Sequence, residues 1–413
     1  MTRKLRRVLD RIADARERHR ERHRPSGFGF ALGDRLRYLE RETWDRLAAP
    51  ASFFLRRPFL ETVEEAGPED VSPRYALVFA GREPVAAVVA QVVTVSADRL
   101  LPAEGAPSAD RGRSLARGAR RLGAGVRARV LVCGNLFSWG FHAAAFAPGA
   151  DPKALWPAIA EALYRIRRAE RLSGQTDLVL VKDVTSAEAA HVEPLRRFSY
   201  RPLETEPNMV LGIDPAWRGH EDYLASLDAK YRKAARKVVT EVEAAGGLVE
   251  KVSDLDPLAE RLHALYLEVQ ANNALRIATL PARFFPALAR AAGGDFRCTV
   301  VRRGEEILGF VTTVRDGDTA VGYHVGFDRS AAKEMPLYLR LLHAVVADAI
   351  ELRCARLSLG RTALEPKARL GARPVPMHVW VRHRVPAMNL LVRGLLGAIP
   401  HAEAPDRAPF RRG

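Results

Sequence analysis

The chain has 413 residues, enough for two domains with full cores, and its 47% hydrophobic and 28% charged residues exclude a fibrous, collagenous or wholly disordered protein. A formal net charge of +16 leaves two readings: an acidic partner such as anionic lipid, nucleic acid or a phosphate-bearing cofactor, or only a well-solvated arginine-rich surface. Cys133, Cys298 and Cys354 are widely separated, with neither metal-ligand nor disulfide-framework spacing, which fits a reducing cytoplasm and no bound metal.

Residues 1–24 carry a short apolar stripe, Leu5, Val8, Leu9 and Ile12, followed by a run that is nearly all charge. The pattern is that of a basic helix, either solvated or lying on an anionic membrane at the inner face of the cell envelope. No apolar core of a secretory leader is visible, and no run reaches the roughly 18 apolar residues of a membrane span. A helix is expected over Arg35–Leu47, an aromatic cluster over Ser52–Val63, and strands over Tyr75–Phe79 and Pro84–Val95. Composition then shifts to Arg, Ala, Gly and Ser over about 97–129, which reads as an inserted loop.

Arg129–Phe146 reads as an apolar strand with polar interruptions at Asn135 and Ser138. An amphipathic helix follows at Lys153–Leu172, with Leu155, Ile159, Ala162, Leu163 and Ile166 on one stripe. Asp177–Val184 is a strand ending in Lys182–Asp183, Ser186 is a candidate N-cap for a helix to Arg197, and Met209–Ile213 is a strand. His220–Ala245 reads as one long helix, its apolar stripe opposed by Lys230, Arg232, Lys233, Arg236 and Lys237. Helices at Leu258–Asn272 and Pro281–Ala292 precede three strands, Phe296–Arg302, Ile307–Val314 and Thr319–Phe327, joined by tight turns into an antiparallel meander. A helix beginning near Met335–Pro336, a strand at Arg356–Leu359, a short helix and a strand at Met377–Arg384 complete the series.

Set side by side, residues 75–213 and 296–384 have the same order: a meander, a strand–helix–strand crossover, then a helix and a final strand. The expected fold is therefore α/β, with two tandem domains, each a mixed sheet flanked by helices. The expected division is a basic tail at 1–27, a first domain at 28–215 with the insertion at about 97–129, a second at 216–384, and a C-terminal tail at 385–413.

Three phrases carry a resemblance: residues 223–238 (YLASLDAKYRKAARKV), residues 300–314 (VVRRGEEILGFVTTV), and residues 359–372 (LGRTALEPKARLGA) with Lys367 and Gly371. Together with the duplicated order, they resemble the GNAT acyltransferases of the tandem Fem-type branch, over most of residues 30–384. The resemblance implies an N-acyltransferase, of a kind common in bacteria, that moves an acyl group such as acetyl from an activated donor to an amine. It implies acyl-CoA as co-substrate, no permanently bound cofactor, and a small-molecule or cell-envelope amine as acceptor. Two alternatives remain: an aminoacyl-tRNA-dependent transferase acting on a peptidoglycan precursor, and a catalytically degenerate basic protein that binds lipid or nucleic acid.

The resemblance also places the donor in the cleft between the crossover strands, where backbone N–H groups would stabilise an oxyanion. Tyr323 and His324 lie on the strand bordering that cleft in the second half, and Glu365 follows the next strand as a candidate general base. These three form the candidate catalytic set. Simple alternation places Val321, Tyr323 and Val325 on one face of the strand and Gly322, His324 and Gly326 on the other. The glycine-rich R/Q-x-x-G-x-G/A loop that cradles a pyrophosphate on a helix N-terminus has no counterpart at 328–336 or at 147–153. Arg329, Lys333, Arg361 and Lys367 are the candidate donor-binding cations. Asn135, His142, Lys182 and Asp183 at strand ends of the first half, with Arg232 and Arg236 on the basic helix, are the candidate acceptor-binding residues; no metal set is expected.

Overall fold

Apolar, β-branched runs punctuated by glycine turns form the strands β1 (Gly29–Gly33), β2 (Val71–Ala80), β3 (Glu83–Ser96), β4 (Arg127–Cys133), β5 (Ala144–Phe146), β6 (Leu178–Thr185) and β7 (Arg201–Gly212) in the first half. The second half supplies β8 (Leu248–Val252), β9 (Phe296–Arg303), β10 (Glu306–Asp316), β11 (Thr319–Phe327), β12 (Arg356–Ser358) and β13 (Arg373–His383). The computed structural model describes residues 24–96, 127–271, 278–385 and 405–411, together with Glu17, Arg20, Met388 and Asn389. Nearly all of the expected N-terminal basic helix and of the 97–129 insertion, and most of the 385–400 tail, lie outside the described residues.

Each half repeats one scheme. In the first, β2, β3 and β4 form an antiparallel meander, and β4 runs parallel to β6 through the helix Pro152–Ala169. In the second, β9, β10 and β11 form the meander, and β11 runs parallel to β12 through the helix Leu337–Glu351. The two sheets are also joined edge to edge, in the order β1-β2-β3-β4-β6-β13-β7-β12-β11-β10-β9-β8, with β5 on β3. The joint is an exchange. β13, the last strand of the second half, lies antiparallel to β6 of the first, and β7, the last strand of the first half, lies antiparallel to β12 of the second. β13 and β7 pair with each other over Arg373–Val381, so neither half can form its own sheet edge without the other.

Alternation along the strands assigns the core to both faces. On one face, Trp44, Phe54 and Phe59 of the first half join Phe284, Phe285, Phe310 and Tyr323 of the second in a single shared cluster. The other face carries two clusters, one under each crossover helix: Trp156, Ile159 and Leu163 in the first half, Leu337, Leu341 and Val345 in the second. The helix Pro152–Ala169 starts where Asp151 accepts the Lys153 N–H, and it buries all five expected stripe residues.

The structure revises several expectations. The long helix over 220–245 is two, His220–Ser226 and Ala229–Ala244, because the extended backbone at Leu227 breaks it. Phe410 bridges to Leu227, and Asp228 N–H donates to the Pro409 carbonyl, so the C-terminal segment fills the break. Arg129–Phe146 is not one strand but β4, a ten-residue loop and β5. The helix expected from Ser186 shortens to Ala189–Val192 followed by a 3-10 turn, and Arg35–Leu47 is a 3-10 turn followed by the helix Arg41–Ala48. Strands β1 and β8 were not anticipated.

Candidate active site

The second-half crossover opens where expected. β11 and β12 pair only from Thr319–Val321 to Arg356–Ser358, and beyond Val321 the strands part. On its other edge, β11 pairs with β10 through an irregularity. Thr312 stands opposite His324 and Thr313 opposite Gly322, so Tyr323 is an extra residue, a β-bulge. The bulge flips the parity of the strand. Val321 and Tyr323 face the shared aromatic core, whereas Val325 and Phe327 pack into the opposite cluster. The alternation expected from the sequence therefore fails at this point, and the two polar side chains do not point to opposite faces. The rings of Tyr323 and His324 lie side by side, 4.3 Å apart.

Aromatic rings enclose them. His324 meets Tyr266 and Phe285 edge-on at 5.5 and 6.0 Å and Trp139 at 6.2 Å, while Phe54 stacks on Tyr323 at 5.6 Å. Both polar atoms are enclosed and unpaired, since neither Tyr323 Oη nor His324 Nε2 has a hydrogen-bond partner. Burial pushes the His324 imidazole down to about 3, so it is neutral near pH 7, and holds the Tyr323 phenol well above its ordinary value, so it keeps its proton. The pair is a neutral base beside a neutral acid, each with an unused hydrogen-bonding site.

The first half treats the corresponding opening differently. β4 and β6 pair through Cys133 and Val181, and the loop after Cys133 folds into the gap beyond. Lys182 Nζ donates to the Ser138 carbonyl at 2.7 Å and pairs closely with Asp183, and Gly140 N–H donates to Asp183 Oδ2 at 3.2 Å. Asn135 Oδ1 accepts the Phe137 N–H at 2.9 Å. Asp183 is fully buried in the left-handed region, φ +59°, and Arg361 of the second half reaches across to pair with its carboxylate. Desolvation, reinforced by Arg361, holds the Lys182 ammonium well below its ordinary value, and burial lowers Arg361 to about 10.

The same loop seals the joint between halves. Trp139 Nε1 donates to the Gly322 carbonyl at 3.3 Å, just before the bulge. His142 Nε2 lies 3.2 Å from the Trp139 carbonyl, and its Nδ1 lies 3.3 Å from Ser52 Oγ, which in turn donates to Asp316 at 2.9 Å. Burial, then the nearby Lys182, lowers His142 to about 3. Asn135, His142, Lys182, Asp183 and Arg361 are thus brought together, but as a buried lock that sets the position of Trp139.

The remaining candidates disperse. Arg329 and Lys333 line a cavity of about 410 Å³ with Phe327, Ser330 and Ala332, directly after β11. Its backbone amides are already engaged: Arg329 N–H donates to Glu268, and Ser330 and Ala331 N–H to Asp328. Carboxylates of the chain itself therefore hold the donors that a pyrophosphate would need. Lys367 is buried, and desolvation, partly offset by Glu206, lowers it to about 7. Glu365 lies at the surface, bonded to Arg369 at 2.8 Å and Arg407 at 3.0 Å, which keeps it a committed carboxylate rather than a free base in the cleft. Arg232 caps the Leu227 carbonyl at 2.8 Å, and Arg236 is exposed opposite Glu221.

Trp139, Tyr266, Phe285 and the Ser52–Asp316 pair were missed. Trp139, Tyr266, Phe285 and Ser52 are distant in sequence from β11 and no local pattern ties them there; Asp316 ends β10, just before β11, but its partner Ser52 is 264 positions away. Among the described residues no His, Cys, Asp and Glu cluster could hold a metal, and no helix is long and apolar enough to cross a membrane.

Residues 229–368 match the family model described as an acetyltransferase (GNAT) domain. Among solved structures, FemX aligns with a TM-score of 0.53 at 10% identity, covering 87% of this chain and 98% of that one. A tandem GNAT protein from the clavulanic acid biosynthesis pathway aligns at 0.47 with 13% identity, over 86% and 98% of the two chains. L-PGS from Bacillus licheniformis aligns at 0.46 with 13% identity, over 82% and 95%. A search of curated protein sequences returned no match.

Proposed function

Because residues 229–368 match an acetyltransferase (GNAT) domain and the fold aligns with that of FemX, we propose that the chain is a GNAT-type acyltransferase whose second half moves an acyl group from an activated donor such as acyl-CoA to an amine, using Tyr323 and His324. One observation carries this reading: Tyr323 Oη and His324 Nε2 are buried, adjacent and unpaired at the bulge where β11 and β12 part. Buried polar groups in a folded protein are nearly always hydrogen-bonded, and two orphans side by side call for a ligand.

The chemistry follows from the neutral pair. The amine lone pair attacks the donor carbonyl, a C–N bond forms, and the carbonyl electrons move onto oxygen. His324 Nε2, in the tautomer carrying its hydrogen on Nδ1, accepts the proton released by the amine. The carbon–sulfur bond then breaks, and the Tyr323 hydroxyl supplies a hydrogen bond or proton to the leaving sulfur; the products are an amide and a thiol. The aromatic walls exclude water, which strengthens both interactions and suppresses hydrolysis of the donor.

The first half has its own gap filled by the Gly134–Ala143 loop, so the donor is assigned to the second. Arg329 and Lys333 would meet the donor's anionic part at the cavity after β11 by charge alone, since the amides there are engaged. That engagement favours a second reading with the same attack on an acyl carbon: an aminoacyl ester of tRNA as donor, whose carbon–oxygen bond breaks to release the ribose hydroxyl, and a cell-envelope amine as acceptor.

The test is thiol release from a panel of acyl-CoAs in the presence of an amine pool, run beside transfer from charged tRNA. The first reading expects thiol release dependent on both amine and His324. Transfer from charged tRNA with no thiol release selects the second. Activity with either donor that is unchanged in His324→Gln rules out the assigned site.

A further inference from the structure

The C-terminal end of the helix Pro152–Ala169 lies at the start of β6, the end of that strand away from Lys182 and Asp183. Tyr164, Arg167, Arg168, Arg171, Gln175 and Thr176 line a cavity of about 410 Å³ there. The guanidiniums of Arg167 and Arg168 both sit over the Tyr164 ring, at 5.3 and 5.9 Å, so two like charges converge on one aromatic ring.

The nearby carboxylates are taken. Glu170 is held by Arg74 and Arg129, both at 2.5 Å, and Asp177 by Arg384 at 2.9 Å. Among the described residues no carboxylate forms an ion pair with Arg167, Arg168, Arg171 or Arg382. Burial lowers Arg167, and repulsion from Arg382 lowers it further, as in a basic site without its anion. A second observation is independent of charge. Thr176, one of the lining residues, is only 2% exposed, and its Oγ1 has no hydrogen-bond partner.

The surroundings distinguish a membrane from a soluble anion. Leu172, the neighbour of Arg171, is 99% exposed. The rim of the cavity is bonded to the end of β13: Arg384 N–H donates to the Asp177 carbonyl, and Val385 and Met388 just beyond are exposed apolar side chains. A basic pocket with an apolar side chain standing free at its edge matches the headgroup and acyl layers of an anionic bilayer.

We propose that this arginine pocket, with Leu172 at its rim, docks the protein on an anionic membrane by binding phospholipid phosphate headgroups. The proposal does not depend on the acyl-transfer reading, because its test reads binding alone.

The full chain would be sedimented with vesicles of mixed phosphatidylglycerol and phosphatidylcholine and with vesicles of phosphatidylcholine alone. Binding is expected to the mixed vesicles only. A basic side chain at an anionic surface contributes roughly fivefold, so R168Q/R171Q should weaken binding roughly 30-fold. Leu172→Ser should weaken it severalfold at unchanged charge. Arg168, Arg171 and Leu172 are exposed, so these variants should keep the thermal unfolding of the parent. K230Q/K233Q removes the same charge from the exposed face of the helix Ala229–Ala244 and should change binding far less. Equal losses in the two double variants would leave only net charge and overturn the proposal. Inorganic phosphate bound by the parent and lost in R168Q/R171Q, with vesicle binding unchanged, would assign the pocket to a soluble phosphate ester and also overturn it.

Discussion

Replacing Tyr323 by Phe deletes one oxygen and nothing else, and the structure gives opposite signs for its two consequences. The side chain is 1% exposed and its hydroxyl has no hydrogen-bond partner, so no interaction of the folded protein is lost. An unpaired buried hydroxyl costs about 1–3 kcal/mol, so Tyr323→Phe should stabilise the fold by about 1 kcal/mol or more. The ring itself keeps its contacts with Phe54 and His324. Acyl transfer should fall by about 10²–10³-fold, the usual effect of removing one preorganised donor from a reacting centre. Thermal unfolding followed by circular dichroism reads the first effect, and thiol release under saturating donor reads the second. A variant that is faster or unchanged in transfer and less stable by 1 kcal/mol or more would show that the hydroxyl is a structural bond after all. In that case the orphan-pair reasoning fails.

Acid should destabilise the protein through its histidines. His324, His142 and His343 are lowered to about 3 and His220 to about 4, each chiefly by burial. The unfolded chain takes up their protons near pH 6.5 and the folded chain does not, so stability is present above about 6.5 and is lost as pH falls toward 4. Each histidine contributes about 1.4 kcal/mol per pH unit within that window; an unfolding midpoint in urea that stays level from pH 7 to pH 5 would contradict it. Gly326→Ala should be costly, because its Cβ would lie 2.5 Å from a Phe310 ring carbon and 2.6 Å from the Leu265–Tyr266 backbone. About 1–3 kcal/mol is expected, with a rise in KM or a fall in kcat as the Tyr266 wall of the site shifts; an Ala variant of parental stability would refute the packing argument. Arg361→Met leaves Asp183 buried with Lys182 alone and should cost about 3 kcal/mol. Adding Asp183→Asn should recover most of that loss, and additive losses in urea unfolding would mean that the two residues do not act as a pair.

Much of the fold was legible in the chain itself. Glycine turns at Gly304 and Gly317, both with positive φ, separate three apolar runs, and local turn chemistry is enough to fix a meander. Helical spacing in Lys153–Leu172 and from Leu337 onward fixed both crossover helices, and the repeated order fixed the duplication. These are short-range properties, written in neighbouring residues. What the sequence could not fix is non-local. The exchange of β7 and β13 pairs strands that are far apart in the chain, and no pattern within either strand names its partner. The bulge at Tyr323 depends on register against β10, which moves His324 to the face of Tyr323 and turns two separate residues into a pair. Lys182, Asp183 and Arg361, read as two sets of ligand contacts, became one buried lock between the halves because only the folded sheet brings β6 and β12 to either side of β13 and β7. Charge patterning showed that the chain is basic. Only tertiary structure showed which arginines pair with a carboxylate and which, around Thr176, pair with none among the described residues.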